Sequence, residues 1–234
     1  MRVVIVYDNY KQVDGLENAW GFSAVIETGS QSILFDTGGD GEVLLRNMEL
    51  LGIEPRKVDA VVLSHNHWDH VGGLKAFLAV SGPIPVFIPP EFDDAFRSSV
   101  SGRCELIDVG AGHEISRGIF ATGTVGSGIP EQAILIHTGD AALMCTGCAH
   151  PGVENMVAEG IRVRNEPVSA VLGGFHLKDA HGARIESTID RLTQTGIRQA
   201  GPCHCTGDRA RRMFAEKFGD DFITVGAGTQ ISFQ

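Results

Sequence analysis

The sequence contains no long apolar run, which limits where the protein can reside. No segment of its 234 residues approaches the roughly 18 consecutive apolar residues of a membrane-spanning helix. The apolar start, Met1–Tyr7, is interrupted by Asp8 and is too short for the hydrophobic core of a secretory signal. We therefore expect a cytoplasmic protein that does not enter a membrane.

Basic residues are scarce relative to acidic ones. Lys and Arg together number 19 against 29 Asp and Glu, which gives a formal net charge of −10. Nucleic acids and anionic membranes attract basic surfaces, so this balance argues against both as partners and against a nuclease. It remains compatible with a small anionic substrate that a metal ion holds locally.

Cysteine is present in an odd number, five, and without a secretory context this pattern predicts reduced thiols rather than a disulfide framework. Cys145 and Cys148 are spaced C-x-x-C, and Cys203 and Cys205 are spaced C-x-C. We interpret four of these thiols as small buried residues beside metal-binding loops. A separate thiolate zinc site and a redox-active pair are the alternatives.

Short strands separated by single helices account for most of the chain. Its 30 glycines suit many tight loops. Apolar runs rich in β-branched residues predict strands at Val3–Val6, Phe22–Glu27, Ser32–Phe35, Val58–Leu63, Pro85–Ile88, Glu105–Val109, His113–Ile115, Gly118–Thr122, Gln132–His137, Ala141–Cys145, Ser169–Leu172, Gln199–Gly201, Phe222–Val225 and Gln230–Phe233. Helical spacing and helix-start signals predict helices at Leu44–Leu51, Leu74–Val80, Pro151–Glu159, Ile185–Leu192 and Ala210–Lys217.

This order of elements predicts the fold class. Turn residues at Thr28–Gln31 and Thr138–Asp140 join adjacent strands into hairpins. Runs of strands with single inserted helices favour an α+β fold, an αββα sandwich of two mixed β-sheets face to face with helices on the outer faces, over a parallel βα wheel. The sequence shows no low-complexity linker and no repeat, so we expect one domain over residues 1–234.

The segment Ser64-His-Asn-His-Trp-Asp-His70 carries the strongest chemical signal. If it begins in extended conformation, His65 and His67 project from the same side, where both imidazoles can bind one ion at about 2.0–2.1 Å. Asp69 and His70 follow and can serve a second ion. A solvated loop that is rich in histidine by chance is the alternative, but imidazole and carboxylate donors at this spacing suit a metal site.

These motifs resemble the metallo-β-lactamase superfamily, whose hallmark is His-x-His-x-Asp-His. The resemblance implies that Asp36 supports the metal loop without binding metal. It also implies that His150, in Cys148-Ala-His-Pro-Gly152, joins His65 and His67, and that His204, in His204-Cys-Thr-Gly207, joins Asp69 and His70. Together with Gly173-Gly-Phe-His-Leu177, they look like a narrower branch of metal-dependent hydrolases similar to the dihydropterin–ribofuranosylaminobenzene-phosphate synthase of methanopterin biosynthesis.

His176 departs from the family pattern. The superfamily's fourth motif usually offers an Asp or a Cys, whereas here a histidine lies 26 positions after His150. An imidazole binds one ion through one nitrogen and does not bridge two ions as a carboxylate can. His176 is thus predicted to ligate a single ion or, alternatively, to hold substrate as a catalytic acid or donor. His113, His137 and His181 match no motif and are expected to be structural or surface residues.

Aromatic and glycine-rich segments border the predicted site. Trp68 lies within the metal loop, and residues 20–23 could form a wall of the pocket, although core packing explains Phe22 as well. The segment Gly123–Gly128 lacks the lysine of a phosphate-binding loop and the strand–helix setting of a dinucleotide site. We interpret it as a flexible loop at the rim of the pocket.

We predict two divalent metal ions as cofactors, zinc in the first place and manganese or iron as alternatives. The predicted function follows from these ions. Such ions generate a hydroxide nucleophile near neutral pH and stabilise developing negative charge. We expect a metal-dependent hydrolase of a small ester, phosphoester or lactone, with Asp69 and His176 in catalytic roles. The resemblance implies as alternative a transferase that joins a dihydropterin methyl diphosphate to an arylamine ribose phosphate. A non-enzymatic metal or redox sensor is a third hypothesis.

Overall fold

The computed structural model describes residues 1–29 and 31–232. Its strands are β1 Arg2–Tyr7, β2 Ser23–Glu27, β3 Ser32–Phe35, β4 Ala60–Val62, β5 Pro85–Ile88, β6 Glu105–Asp108, β7 His113–Ser116, β8 Ile119–Ala121, β9 Ile134–His137, β10 Ala142–Thr146, β11 Val168–Gly174, β12 Gln199–Cys203 and β13 Gln230–Ser232. Its helices are α1 Gly41–Leu50, α2 Trp68–Val71, α3 Leu74–Ser81, α4 Asp94–Ser99, α5 Val153–Arg164, α6 Gly182–Gln194 and α7 Asp208–Phe218.

The described chain divides into two compact units. Unit 1 contains Met1–Gly110 and the described residues from Gly226 onward, and unit 2 contains Ala111–Val225. Each unit holds one mixed sheet with its own helices. The prediction that residues 1–234 form one domain stays a prediction.

Unit 1 is built on a seven-stranded sheet of order β13-β1-β2-β3-β4-β5-β6. Pairing is antiparallel from β13 to β3 and parallel from β3 to β6. Helix α1 begins at Asp40, whose carboxylate accepts the N–H groups of Glu42 and Val43 and so satisfies two donors at the helix start. Its buried face, with Leu44 and Met48, joins Phe77 of α3 in the apolar core of this unit.

Unit 2 is built on a six-stranded sheet of order β12-β11-β10-β9-β8-β7. Here β10, β11 and β12 are parallel, and the strands from β10 to β7 pair antiparallel. Helices α5, α6 and α7 bury one face each against the core, through residues such as Met156, Ile189 and Phe214. Helix α5 ends at Asn165, which adopts the left-handed conformation (φ 50°) common after a helix.

The predicted two mixed sheets with helices are confirmed, and most predicted strands agree within two residues. The strand predicted at Phe222–Val225 is wrong, because only a single bridge between Phe222 and Ala200 forms there. Helix α4 was not predicted, since six residues are too few for a helical period to show. Ser30, within the predicted turn at Thr28–Gln31, and Phe233, the predicted end of the last strand, lie outside the described residues.

The lengths of the helices show whether any of them could span a membrane. The longest described helix, α6, has 13 residues, and none of the helices in the described ranges is long and apolar enough to cross a membrane.

Candidate metal centre

The histidine-rich loop of unit 1 leaves its sheet between two parallel strands. β3 ends just before Asp36, and β4 ends two residues before Ser64. Because the two strands are parallel neighbours, their carboxyl ends lie at the same edge of the sheet, where open α/β sheets place their ligands. This topology explains why residues 28 positions apart meet.

Asp36 holds this loop through three hydrogen bonds. Its carboxylate accepts the Ser64 N–H at 2.7 Å and the Ser64 hydroxyl at 2.7 Å, and it lies 2.7 Å from Nδ1 of His70. Asp36 is fully buried, so these partners offset the cost of burying its charge. Because Nδ1 makes this contact, Nε2 is the candidate ligand nitrogen of His70. Asp36 therefore supports the loop, as predicted.

The predicted unit 1 ligands are brought together. Nε2 of His65 lies 3.0 Å from Nδ1 of His67, a separation at which both nitrogens can contact one ion at about 2.0–2.1 Å. The rings of His65 and His70 have centroids 4.3 Å apart, and Nε2 of His70 is 3.8 Å from Oδ2 of Asp69. Ser64 orients His65 by a contact of 2.9 Å to Nδ1.

Glycines let this loop pack against the chain that follows β3. A Cβ on Gly73 would lie 2.2 Å from the carbonyl oxygen of Thr37, and a Cβ on Gly72 would lie 2.3 Å from that of Gly39. In return, Thr37 donates its N–H and its hydroxyl to the carbonyl of His70 at 2.7 and 2.9 Å. The close backbone approach fixes where His70 sits.

Unit 2 carries its predicted ligands at the ends of three parallel strands. β10 leads to Cys148 and His150, β11 leads to His176, and β12 leads directly to His204. The rings of His150 and His176 have centroids 4.3 Å apart. His204 is almost fully buried and begins a short 3-10 turn, His204–Thr206. As in unit 1, the predicted ligands therefore follow the carboxyl ends of parallel strands.

Glu131 is a functional candidate that the sequence interpretation missed. It is fully buried, and its carboxylate accepts the backbone N–H groups of Cys148, Ala149 and His150 at 2.8, 2.8 and 2.9 Å. These bonds set the conformation of the loop that carries His150. No motif marks Glu131, because its partners are backbone groups 17 to 19 residues away.

Strained backbone concentrates at these loops. Among the described residues, five that are not glycine have positive φ, and four of them are Asp36 (57°), Ala149 (55°), His176 (49°) and His204 (48°). Left-handed conformations are costly for such residues and persist where surrounding contacts enforce them, commonly at functional sites. These four residues with positive φ therefore lie in or next to the loops that carry the predicted histidine ligands.

Thiols accompany the unit 2 histidines. One ligand atom each from Cys148, His176 and Cys205 lies within 4.8 Å of the others. Burial raises the pKa of Cys205, but hydrogen bonds from Cys148 and His176 and the nearby His204 outweigh it, so the pKa falls well below that of a free thiol. The hydrogen bond with Cys205 in turn raises the pKa of His176. In contrast, burial alone raises the pKa of Cys145 to about 12, which suits a structural thiol.

The glycine-rich loop of unit 2 borders the same histidines. Residues 125–129 line a cleft of about 340 Å³ with His150, Pro151 and Asn155. The prediction that this loop lies at a pocket rim agrees with that position. The other histidines lie elsewhere: His113 is exposed in β7, His137 lies 3.3 Å from Glu166, and His181 precedes α6.

The donor chemistry fits metal ions. Buried imidazoles, one of them oriented by a carboxylate at its second nitrogen, form the arrangement that zinc and iron sites use. Within unit 1 the candidates are His65, His67, Asp69 and His70, and within unit 2 they are His150, His176 and His204. That ligands from both units bind common ions stays a prediction.

The fold consists of two mixed sheets, and loops that carry histidines follow the ends of their parallel strands. This arrangement suits metal binding. The chain matches the sequence profile of the metallo-beta-lactamase superfamily over residues 21–145. It is 34% identical to 7,8-dihydropterin-6-methyl-4-(beta-D-ribofuranosyl)-aminobenzene-5'-phosphate synthase of Methanocaldococcus jannaschii, over 91% of this chain and 90% of that protein. The chain belongs to the metallo-beta-lactamase superfamily, a superfamily of enzymes.

Solved structures agree with this assignment. A metal-dependent hydrolase of the beta-lactamase superfamily superimposes with a TM-score of 0.84 at 27% identity and covers 99% of this chain and 98% of its own. The metallo-beta-lactamase fold protein YhfI from Bacillus subtilis gives a TM-score of 0.71 at 14% identity, with 99% of both chains covered. The second likeness concerns the fold alone.

Proposed function

We propose that the protein is a metal-dependent hydrolase that acts on a small anionic ester, phosphoester or lactone with two divalent ions, zinc in the first place. The observation that carries this proposal is the cluster of buried His65 and His70 with partly buried His67, in which Asp36 fixes His70 at 2.7 Å. His150 and His204 complete the two ligand sets in this proposal, as the superfamily assignment supports.

Each remaining residue of the site has a role that its contacts suit. When bound, the ions lower the pKa of water toward about 7 and polarise a phosphoryl or carbonyl oxygen. Asp69, whose Oδ2 accepts the indole N–H of Trp20 at 2.8 Å, binds metal and orients the attacking water. His176 is exposed, and its ring lies 4.3 Å from that of His150 between centroids, a position that suits a proton donor to the leaving group.

The second candidate function is a transferase. It is supported by the relative that is named a synthase of a dihydropterin joined to an aminobenzene ribofuranosyl phosphate. In this reaction an arylamine nitrogen attacks the methyl carbon of a dihydropterin methyl diphosphate, and diphosphate leaves with the electron pair of the broken C–O bond. The amine proton passes to solvent or to His176.

One assay separates the two functions. The metal-loaded protein is incubated with the dihydropterin methyl diphosphate, with and without the arylamine ribose phosphate, and diphosphate release is measured. Release that requires the arylamine supports the transferase. Turnover of phosphoesters or lactones with no arylamine requirement supports the hydrolase.

Metal content tests the ligand assignment. His65→Ala should remove at least one bound ion and abolish activity, because His65 is buried among the other donors. His113→Ala, an exposed histidine in β7 of unit 2, should retain both. Elemental analysis of protein purified without added metal provides the measurement. Full metal content in the His65→Ala variant would refute the assignment.

A further inference from the structure

The two tryptophans of the chain are both exposed, although tryptophan is usually largely buried. Trp68 is 64% exposed and Trp20 is 38% exposed. Neither belongs to the apolar core of unit 1. Large aromatic surface left in water is costly, and where it clusters it commonly marks a binding site.

The two tryptophans are connected to Asp69 in different ways. The indole N–H of Trp20 donates to Oδ2 of Asp69 at 2.8 Å, and Trp68 is the residue before Asp69 in α2. The ring of Trp68 also lies over Gly39, since a Cβ on Gly39 would fall 2.5 Å from Cζ3 of Trp68 and 3.1 Å from the Trp20 carbonyl oxygen. The Trp68 ring and the Trp20 carbonyl therefore both pack against Gly39, where an added Cβ would meet each of them.

Backbone hydrogen bonds fix the two segments that carry the tryptophans. The backbone of Phe22 donates to the Asp69 carbonyl at 3.3 Å, and Gly38 donates to the Phe22 carbonyl at 3.0 Å. The segment that carries Trp20 is therefore tied to the loop that carries Trp68. A rigid, exposed aromatic surface next to a catalytic carboxylate loses little conformational entropy when a ligand covers it.

We propose that Trp20 and Trp68 form an aromatic surface that binds a planar aromatic ring of the substrate while the substrate's anionic group binds at the metal centre. This inference rests on the proposed function and adds the substrate class, an aromatic anion. A flat ring stacks on indole with a preference that an aliphatic ring of similar size does not share. The position beside Asp69, within the metal loop, favours substrate over a protein partner.

A pair of matched probes tests the ring preference. Phenylphosphonate and cyclohexylphosphonate carry the same anionic group and differ in the planarity of the ring. We expect the zinc-loaded protein to bind phenylphosphonate about 2- to 12-fold more tightly by titration calorimetry, the range typical of aromatic pairs. Trp68→Ala should reduce this ratio to about one and leave zinc content unchanged, and Trp68→Phe should retain most of it.

Controls separate this inference from the proposed function. Leu50→Ala removes another exposed apolar side chain of unit 1, 55% exposed, and should leave the ratio unchanged. His65→Ala should weaken both probes equally through the loss of metal. Equal affinity for the two probes, absence of phenylphosphonate binding, or equal weakening of both by Trp68→Ala would overturn the aromatic surface. A wild-type protein that holds no metal would instead overturn the proposed function.

Discussion

At the scale of single residues, a buried carboxylate organises one histidine-bearing loop in each unit. Asp36 accepts from Ser64 and His70 in unit 1, and Glu131 accepts from three consecutive backbone N–H groups in unit 2. A carboxylate that is buried this completely is stable only with such donors. We therefore expect both residues to act by positioning the proposed metal ligands.

Asp36→Asn keeps the size of the side chain and removes its charge. The amide can accept from Ser64 but holds His70 less well, so we expect metal affinity to fall by about 10- to 100-fold, as for other residues that orient metal ligands. Zinc titration followed by calorimetry measures this loss. Asp14→Asn, an exposed position of unit 1, should leave the affinity unchanged, and an unaltered affinity in Asp36→Asn would refute the positioning role.

Glu131→Gln replaces one accepting oxygen with an NH₂ group that faces backbone donors. Leaving buried donors unsatisfied costs about 1–3 kcal/mol, and urea unfolding should show a loss of this size. Activity should fall as well, because the loop carrying His150 loses its support. Glu114→Gln, exposed in β7, is the matched control. Equal stability of the two variants would contradict this account.

The role of Asp36 could be predicted from the sequence, whereas that of Glu131 could not. Asp36 follows a predicted strand, and the family resemblance implied its supporting role. Glu131 lies outside every motif, and its partners are main-chain groups whose positions depend on the left-handed turn at Ala149. A contact between a side chain and a distant backbone leaves no pattern in a single sequence.

At the scale of elements, the parallel strands decide where the chemistry lies. Strands β3 and β4 in unit 1 and β10 to β12 in unit 2 are parallel neighbours, and the predicted ligands of each unit follow their carboxyl ends. The β-branched runs made these strands predictable. The region Phe222–Val225 has the same composition but follows a 3-10 turn, Gly219–Asp221, and pairs only through Phe222.

Gly73 connects the metal loop to α3, and a methyl group there has no space. A Cβ would fall 2.2 Å from the Thr37 carbonyl oxygen, so Gly73→Ala must displace the backbone on one side. We expect a loss of about 1–3 kcal/mol in unfolding free energy, typical of overpacking, together with reduced zinc affinity. In the control variant Gly29→Ala, the added Cβ has no atom within 4 Å, so neither the unfolding free energy nor the zinc affinity should change. A Gly73→Ala variant with wild-type zinc affinity would argue that this backbone contact does not fix the position of His70.

At the scale of the whole molecule, the proposed ligands are divided between two units. Each unit has its own mixed sheet and apolar core, and each supplies histidines from loops at the ends of parallel strands. Zinc sites in proteins have three or four protein ligands, and our proposal assigns His65 and His67 from unit 1 and His150 from unit 2 to one ion. The proposed metal therefore couples the stability of the two units.

A double-mutant cycle tests this coupling. If His67 and His150 bind the same ion, His67→Ala, His150→Ala and the double variant should each lose one zinc per chain, because the second substitution removes nothing further. For the wild type, free zinc at 100 times the Kd should stabilise the folded state by about 2.7 kcal/mol for each bound ion, which corresponds to a rise in Tm of about 5–10 °C per ion. Each variant should show the same reduced rise in Tm, whereas His181→Ala should respond as the wild type does. If the double variant lost two ions while each single variant lost one, the two histidines would belong to separate sites and the shared ion would be disproved.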